Sequence, residues 1–134
     1  MALYENLPVY KAGYDLLLET CRQAVNFARE YRYTLGEKLQ GELMEILVCI
    51  YRANSSQEGR SEVLAEARRR LVKVKLYIRM LHDLKVISLK QFALQAERVE
   101  NLSRQLSAWH RKTLLPGVGS AGSDDRPAES GESV

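Results

Sequence analysis

Four stretches of this chain carry apolar residues at alternating intervals of three and four, the spacing that lines one face of a helix. The first predicted helix runs from about Val9 to Tyr31, with Tyr10, Tyr14, Leu17, Cys21, Ala24 and Ala28 inward, and Pro8 sits where a first turn tolerates it. The second runs to about Ala53 with Leu39, Leu43, Ile46 and Ile50 inward, before Asn54-Ser55-Ser56 breaks the pattern. The third continues to about Leu84 through Leu64, Ala67, Leu71, Val74, Ile78 and Leu81, and the fourth carries Phe92, Val99, Leu102, Leu106 and Trp109. Thr34, Ser55 and Ser88 each precede a Glu or Gln by three residues (Glu37, Glu58 and Gln91), the spacing of a capping box that marks a helix start. Each such cap contributes roughly 1 kcal/mol, so the three together predict the boundaries. Short connections favour neighbours of opposite direction. The predicted fold is therefore all-α, an antiparallel up-down-up-down four-helix bundle.

Length and composition agree with one ordinary domain of 134 residues, 46% hydrophobic and 28% charged. Leucine dominates, and Gly and Pro are scarce before position 116. Pro116 and the Gly/Ser/Asp/Glu-rich remainder have too little apolar surface to order themselves. The expected division is a bundle over 1–114 and a disordered acidic tail over 115–134. The tail holds Asp124, Asp125, Glu129 and Glu132 against Arg126, which leaves a basic body. A basic body with an acidic tail points to a polyanionic partner.

The longest strictly apolar run, Ile46 to Tyr51, falls far short of a bilayer span, and Met1 to Tyr10 carry Glu5 and no basic, leucine-rich leader. The expectation is a cytoplasmic protein without a membrane partner. Cys21 and Cys49 sit among apolar neighbours in two different helices, and reduced, packed thiols are the simplest reading. A disulfide between those helices is the alternative.

Two helices carry a second apolar seam: Met44, Val48 and Tyr51 on the second, and Val72, Leu76 and Met80 on the third. These are either broad bundle faces or a subunit interface. The second reading is preferred, because a helix apolar on two sides usually packs on two sides. Met44, Val48, Val72, Leu76 and Met80 are the candidate contacts of a homo-oligomer.

The third helix is also the basic one: Arg68-Arg69-Arg70, Lys73, Lys75 and Arg79 place six cations in twelve residues. On a helical wheel Arg68, Lys75 and Arg79 share a narrow strip about 16 Å long beside the core stripe. Arg69 and Lys73 share the outward face, and Arg70 takes the opposite flank. Glu66 stands four residues before Arg70 and is its expected partner. Past Arg68 this helix holds one acid, Asp83. Arg111 and Lys112 add charge at the end of the fourth helix. The candidate nucleic-acid contacts are Arg68, Arg69, Lys73, Lys75, Arg79, Arg111 and Lys112, acting on phosphates with little sequence readout.

Signals of catalysis are missing. The residues three before His82 and His110 are Arg79 and Ser107, so the Glu-x-x-His pairs of bundle di-metal sites are absent, as are glycine-rich phosphate loops and Cys-x-x-Cys. His82 reads as a packing residue, and His110, beside Trp109 and Arg111, as a contact residue. No catalytic residue, metal or cofactor is expected, and the chain reads as non-enzymatic.

The run from Leu71 through Tyr77-Ile78-Arg79, then Asp83 to Phe92, and finally Leu102 to Ser107-Ala108-Trp109 resembles the accessory variability determinant proteins of diversity-generating retroelements. The resemblance spans about Glu5 to Lys112. Its most specific parts are Arg79-x-x-x-Asp83-Leu84-x-x-Ile87-Ser88-x-x-Gln91 and the late Trp109 followed by basic residues. The related ribosomal-RNA intervening-sequence proteins share the opening Asn6-Leu7-Pro8-Val9-Tyr10-Lys11; they typically read Asn-Ile-Ala-Glu-Gly where this chain has Asn54-Ser55-Ser56-Gln57-Glu58-Gly59. Ser107-Ala108 stands where glycines are usual, and the net charge of +3 is lower than is typical. The resemblance implies a pentameric barrel of four-helix bundles with a basic surface. It also implies a reverse transcriptase as partner, with RNA and DNA bound during mutagenic copying of a template repeat. The competing reading is an oligomeric scaffold, or an intervening-sequence-type bundle, with no polymerase partner.

Overall fold

A computed structural model describes residues 3–115. The acidic segment read from sequence as 115–134 thus lies, apart from Leu115, outside the described residues.

Among the described residues the fold is all-helical, with four long helices: α1 (Pro8–Ala24), α2 (Glu37–Ser55), α3 (Arg60–Asp83) and α4 (Leu89–Leu114). A 3-10 turn, Tyr4–Asn6, precedes α1. Around a single core, α1 packs on α2 and α4, and α3 packs on α2 and α4. The core stripes of α2 and α3 are the expected ones, and Leu39, Leu43, Ile46, Ile50, Leu64, Ala67, Leu71, Val74, Ile78 and Leu81 are all buried. On α4, Val99, Leu102, Leu106 and Trp109 are buried and Phe92 is half-buried. Each fully buried Leu or Ile contributes about 1.5–3 kcal/mol, which makes these stripes the main source of stability.

The first helix departs from the sequence reading in two ways. It ends at Ala24, not Tyr31. The chain then turns through 25–28 with Phe27 buried, and Arg32 donates from its guanidinium to the Val25 and Phe27 carbonyls at 3.1 and 3.2 Å. No Gly or Pro marks this turn; the Asn26 and Phe27 amides meet the helix's last carbonyls, Gln23 and Ala24, and a side chain five to seven residues downstream satisfies those of the turn itself. A short helical turn (Arg29–Tyr31) and a π-helical turn (Arg32–Gly36) then lead directly into α2.

The buried stripe of α1 is also rotated from the expected one. Val9, Ala12, Gly13, Leu16, Leu17, Thr20, Gln23 and Ala24 face inward, whereas Tyr14 and Ala28 are exposed and Tyr10 and Cys21 are half-buried. The cause is close approach. A Cβ on Gly13 would stand 3.0 Å from a Leu47 methyl, so the small face of α1 is the one that fits against α2. Two polar side chains bond within this seam: Gln95 of α4 donates to the Thr20 hydroxyl at 2.7 Å, and Thr20 donates to the Leu16 carbonyl at 2.9 Å, while the Gln95 Oε1 is buried without a hydrogen-bond partner among the described residues. Both cysteines are free; the Cys21 thiol lies 3.8 Å from the Gln40 amide oxygen, and Cys49 is buried. No helix among the described residues is long and apolar enough to cross a membrane.

Of the three expected capping boxes one forms. The Ser88 hydroxyl accepts from the Gln91 amide at 3.1 Å, and the Gln91 side chain accepts from the Ser88 amide at 2.8 Å. Thr34 instead lies within the π-helical turn and donates back to the Glu30 carbonyl. Ser55 ends α2 and donates to the Tyr51 carbonyl at 2.8 Å, while Gly59, at φ +73°, makes the left-handed turn into α3. A hydroxyl can satisfy a carbonyl four residues back as readily as cap a helix ahead, so the same spacing has two outcomes. Ser88→Ala should therefore lower stability by about 1 kcal/mol, whereas Thr34→Ala and Ser55→Ala should each stay within about 0.5 kcal/mol in urea unfolding.

Candidate functional site

The six cations clustered on α3 divide between two flanks of the helix. On the flank facing α2, Arg70 donates to Glu66 at 3.1 Å and to Glu42 of α2 at 3.0 Å. Lys73 shares Glu42 at 3.7 Å, and Arg52 shares Glu66 at 3.8 Å. The two carboxylates hold the Arg70 guanidinium protonated above its ordinary range. Arg69 and Lys73 are both exposed, as the wheel suggested, and the Lys73 ammonium reaches sideways to the α2 flank. It leans toward α2 because Glu42 lies there.

On the other flank Arg68, Lys75 and Arg79 follow the groove between α3 and α4. Small side chains, Ala65 on α3 and Ala96 and Ser103 on α4, keep this groove open. Its upper part is a hollow of about 380 Å³ that holds Arg68, Arg69 and Lys75 across from Ser103 and His110. Its lower part runs between Lys75 and Arg79 on one side and Phe92, Ala96 and Glu100 on the other. Lys75 borders both parts and makes no ion pair among the described residues. Arg79 pairs with Asp83 at 3.3 Å, an exposed four-apart contact worth a few tenths of a kcal/mol.

Arg68 meets an imidazole, not a carboxylate: its Nη1 stands 2.9 Å from His110 Nδ1. Burial, and then the Arg68 charge, lower the His110 pKa, so the ring is neutral at pH 7 and its unprotonated Nδ1 accepts from Arg68. The Arg68 charge is left uncompensated by any anion there. Arg111 and Lys112 occupy the last turn of α4; Arg111 is exposed and Lys112 half-buried. Arg68, Arg69 and Lys75 thus meet in one hollow and Arg79 extends their line, whereas Lys73 joins the opposite flank. The sequence reading missed Ser103, whose one signal is its place beside the core stripe of α4. His82 stacks on Phe92, ring centres 4.5 Å apart, with Nδ1 3.5 Å from Asp83.

Both apolar seams are exposed in the single chain. Met44, Val48 and Tyr51 of α2 and Val72, Leu76 and Met80 of α3 each leave 40–59% of their surface open. The α2 seam continues toward α1 through a row of rings, Tyr51 to Tyr4 to Tyr10 to Tyr14, with centres 5.0, 5.2 and 5.8 Å apart. The α3 seam begins at Val72, inside the α3–α4 groove. The two apolar faces thus border different neighbours, the α2 seam running toward α1 and the α3 seam beginning in the groove beside α4.

Burial raises the Cys49 thiol above its ordinary pKa, which keeps it protonated and unreactive at neutral pH. Among the described residues no three His, Cys, Asp or Glu side chains gather closely enough to hold a metal ion. No family model matches this chain, and no curated protein matches it.

The division of charge has a measurable consequence. Glu42→Gln removes the carboxylate on which Arg70 and Lys73 converge and should cost about 1 kcal/mol, the value of a charged hydrogen bond discounted for partial exposure. Lys75→Gln should stay within about 0.5 kcal/mol in the same urea titration. Equal losses would contradict the division.

Proposed function

We propose that this chain is a non-enzymatic accessory protein of a diversity-generating retroelement, which holds template RNA or cDNA beside the element's reverse transcriptase. The observation that carries the reading is the line of Arg68, Lys75 and Arg79 along the α3–α4 groove, where Lys75 lacks an ion pair and Arg68 meets a neutral ring. Arg68 and Lys75, which pair with no carboxylate among the described residues, are open to phosphates, and phosphates carry no base identity, so the binding is electrostatic and tolerant of sequence. Arg69 and the Arg111–Lys112 end of α4 extend the same surface.

Contacts between Gly13 and Leu47 and between Cys21 and Gln40 fit an antiparallel α1 and α2, in keeping with an up-down-up-down bundle. Assembly is part of the proposal. Two different exposed apolar faces on one protomer fit a head-to-tail contact, which closes into a ring, better than a two-fold pair of identical patches. A pentameric barrel would use Met44 and Val48 on one face and Val72, Leu76 and Met80 on the other, and would repeat the basic line around its surface. These exposed faces also favour a second reading, an oligomeric scaffold with no polymerase partner.

The test is charge reversal at all three positions, Arg68→Glu, Lys75→Glu and Arg79→Glu. Wild-type affinity for single-stranded RNA or DNA should fall steeply with salt, by a log–log slope of about −0.7 per phosphate neutralised. The triple variant should bind unrelated sequences more weakly and with a flatter slope. In light scattering both proteins should return about five times the 15.3 kDa of one chain. An assembled triple variant with unchanged affinity and slope would place the nucleic-acid surface elsewhere. A monomeric wild type would overturn the barrel, and a wild type that bound no nucleic acid at low salt would leave the scaffold reading.

A further inference from the structure

The hollow at the upper end of the α3–α4 groove contains a contact that simple charge display does not require. Small side chains, Ala65 and Ser103, leave an open depression on the surface beside Leu71 and Val72. Around that space stand three cations, one hydroxyl and one imidazole, and no carboxylate. The nearest acid along this face of α4, Glu100, lines the adjoining lower part of the groove with Arg79. From α3, His110 faces Arg68, with Arg69 and Lys75 lining the same hollow. On its own helix Arg111 and Lys112 follow it, and Arg60 at the start of α3 lies over the neighbouring Trp109 ring at 6.0 Å. The charged side chains that line the hollow with the imidazole, Arg68, Arg69 and Lys75, are all cations, a set that suits an oxyanion.

We propose that this hollow is a phosphate site coupled to a proton: the neutral His110 ring holds Arg68 while the site is empty, and on binding it takes up one proton from solvent and releases Arg68 to the phosphate oxygens. The ligand class is a phosphodiester of a nucleic-acid strand, so the inference rests on the nucleic-acid reading above. An accepting Nδ1 cannot remain bonded to Arg68 once protonated, because both partners are then donors. Protonation therefore adds one cation and frees another in the same step. Burial and Arg68 favour the neutral ring, whereas a bound phosphate favours the charged one, so the His110 pKa is lowered when the site is empty and rises on binding. By linkage, affinity strengthens as pH falls through the window between those two values and levels off below it.

The experiment measures binding of a short oligothymidylate, whose phosphodiesters do not titrate in this range, to the full chain at constant salt. Between about pH 7.5 and pH 5.5 the affinity should rise by about three- to tenfold, within the limit of tenfold per pH unit for uptake of one proton. His110→Asn, which keeps a short acceptor and cannot titrate, should bind without that rise, and His82→Gln should retain it. The NMR titration of the wild-type His110 ring supplies a readout that does not depend on any variant folding: its midpoint should move up when the oligonucleotide is added. A wild type that binds equally at both pH values, a His110→Asn variant that keeps the rise, or a His110 midpoint unmoved by ligand would overturn the proton coupling and leave the nucleic-acid reading intact. A wild type that binds at neither pH in low salt would overturn both.

Discussion

Arg70 donates to Glu66 on its own helix and to Glu42 on the neighbouring one, a half-buried contact that ties one flank of α3 to α2. The apolar stripe from Leu64 to Leu81 sets the rotation of α3 from the core side. Glu66 would still neutralise Arg70 if Glu42 were lost, so the contact to α2 reinforces a rotation that the buried stripe sets. At 100° per residue, positions 68, 75 and 79 then fall roughly 140–180° around the helix from Arg70. The cations left over from the structural pair are thereby placed on the far flank, beside α4 and away from Glu42 and Glu66.

That placement links charge, space and assembly. Small residues on both helices leave the α3–α4 groove open where Arg68 and Lys75 stand, and His110 closes one end of it. The same rotation exposes Val72, Leu76 and Met80 next to the basic line. On α1 a different constraint acts in parallel: Gly13 admits Leu47, the helix settles on its small face, and Tyr14 is turned out beside the exposed α2 seam. Packing choices inside the core thus decide which apolar and charged side chains remain at the surface.

How much of this was legible in the sequence depended on how far apart the interacting residues stand. Core stripes of α2, α3 and α4 were readable because each is long, regular and local. The stripe of α1 was not, since its tyrosines outweighed Gly13 and Thr20 in any count of apolar residues, although those two make the contacts to Leu47 and Gln95. The turn after Ala24 was hidden because Arg32, not a Gly or Pro, satisfies its carbonyls. Ser88 could be read as a cap, but Thr34 and Ser55 carry the same spacing and bond backward. In the site, the alignment of Arg68, Lys75 and Arg79 followed from helical spacing alone. The pairing of Lys73 with Glu42, and of Arg68 with His110 42 positions away, lies between helices and leaves no local trace.

One helix carries two sets of cations, one paired with carboxylates on the α2 side and one lining the groove beside α4, to which the proposed function assigns phosphate. Lysine acetylation footprinting separates them, because Lys73 and Lys75 stand two residues apart on one helix yet belong to different sets. With single-stranded nucleic acid bound at low salt, Lys75 should acetylate more slowly than in the free protein, while Lys73 reacts at an unchanged rate. Protection of Lys73 with Lys75 unaffected, or equal protection of both, would contradict the account.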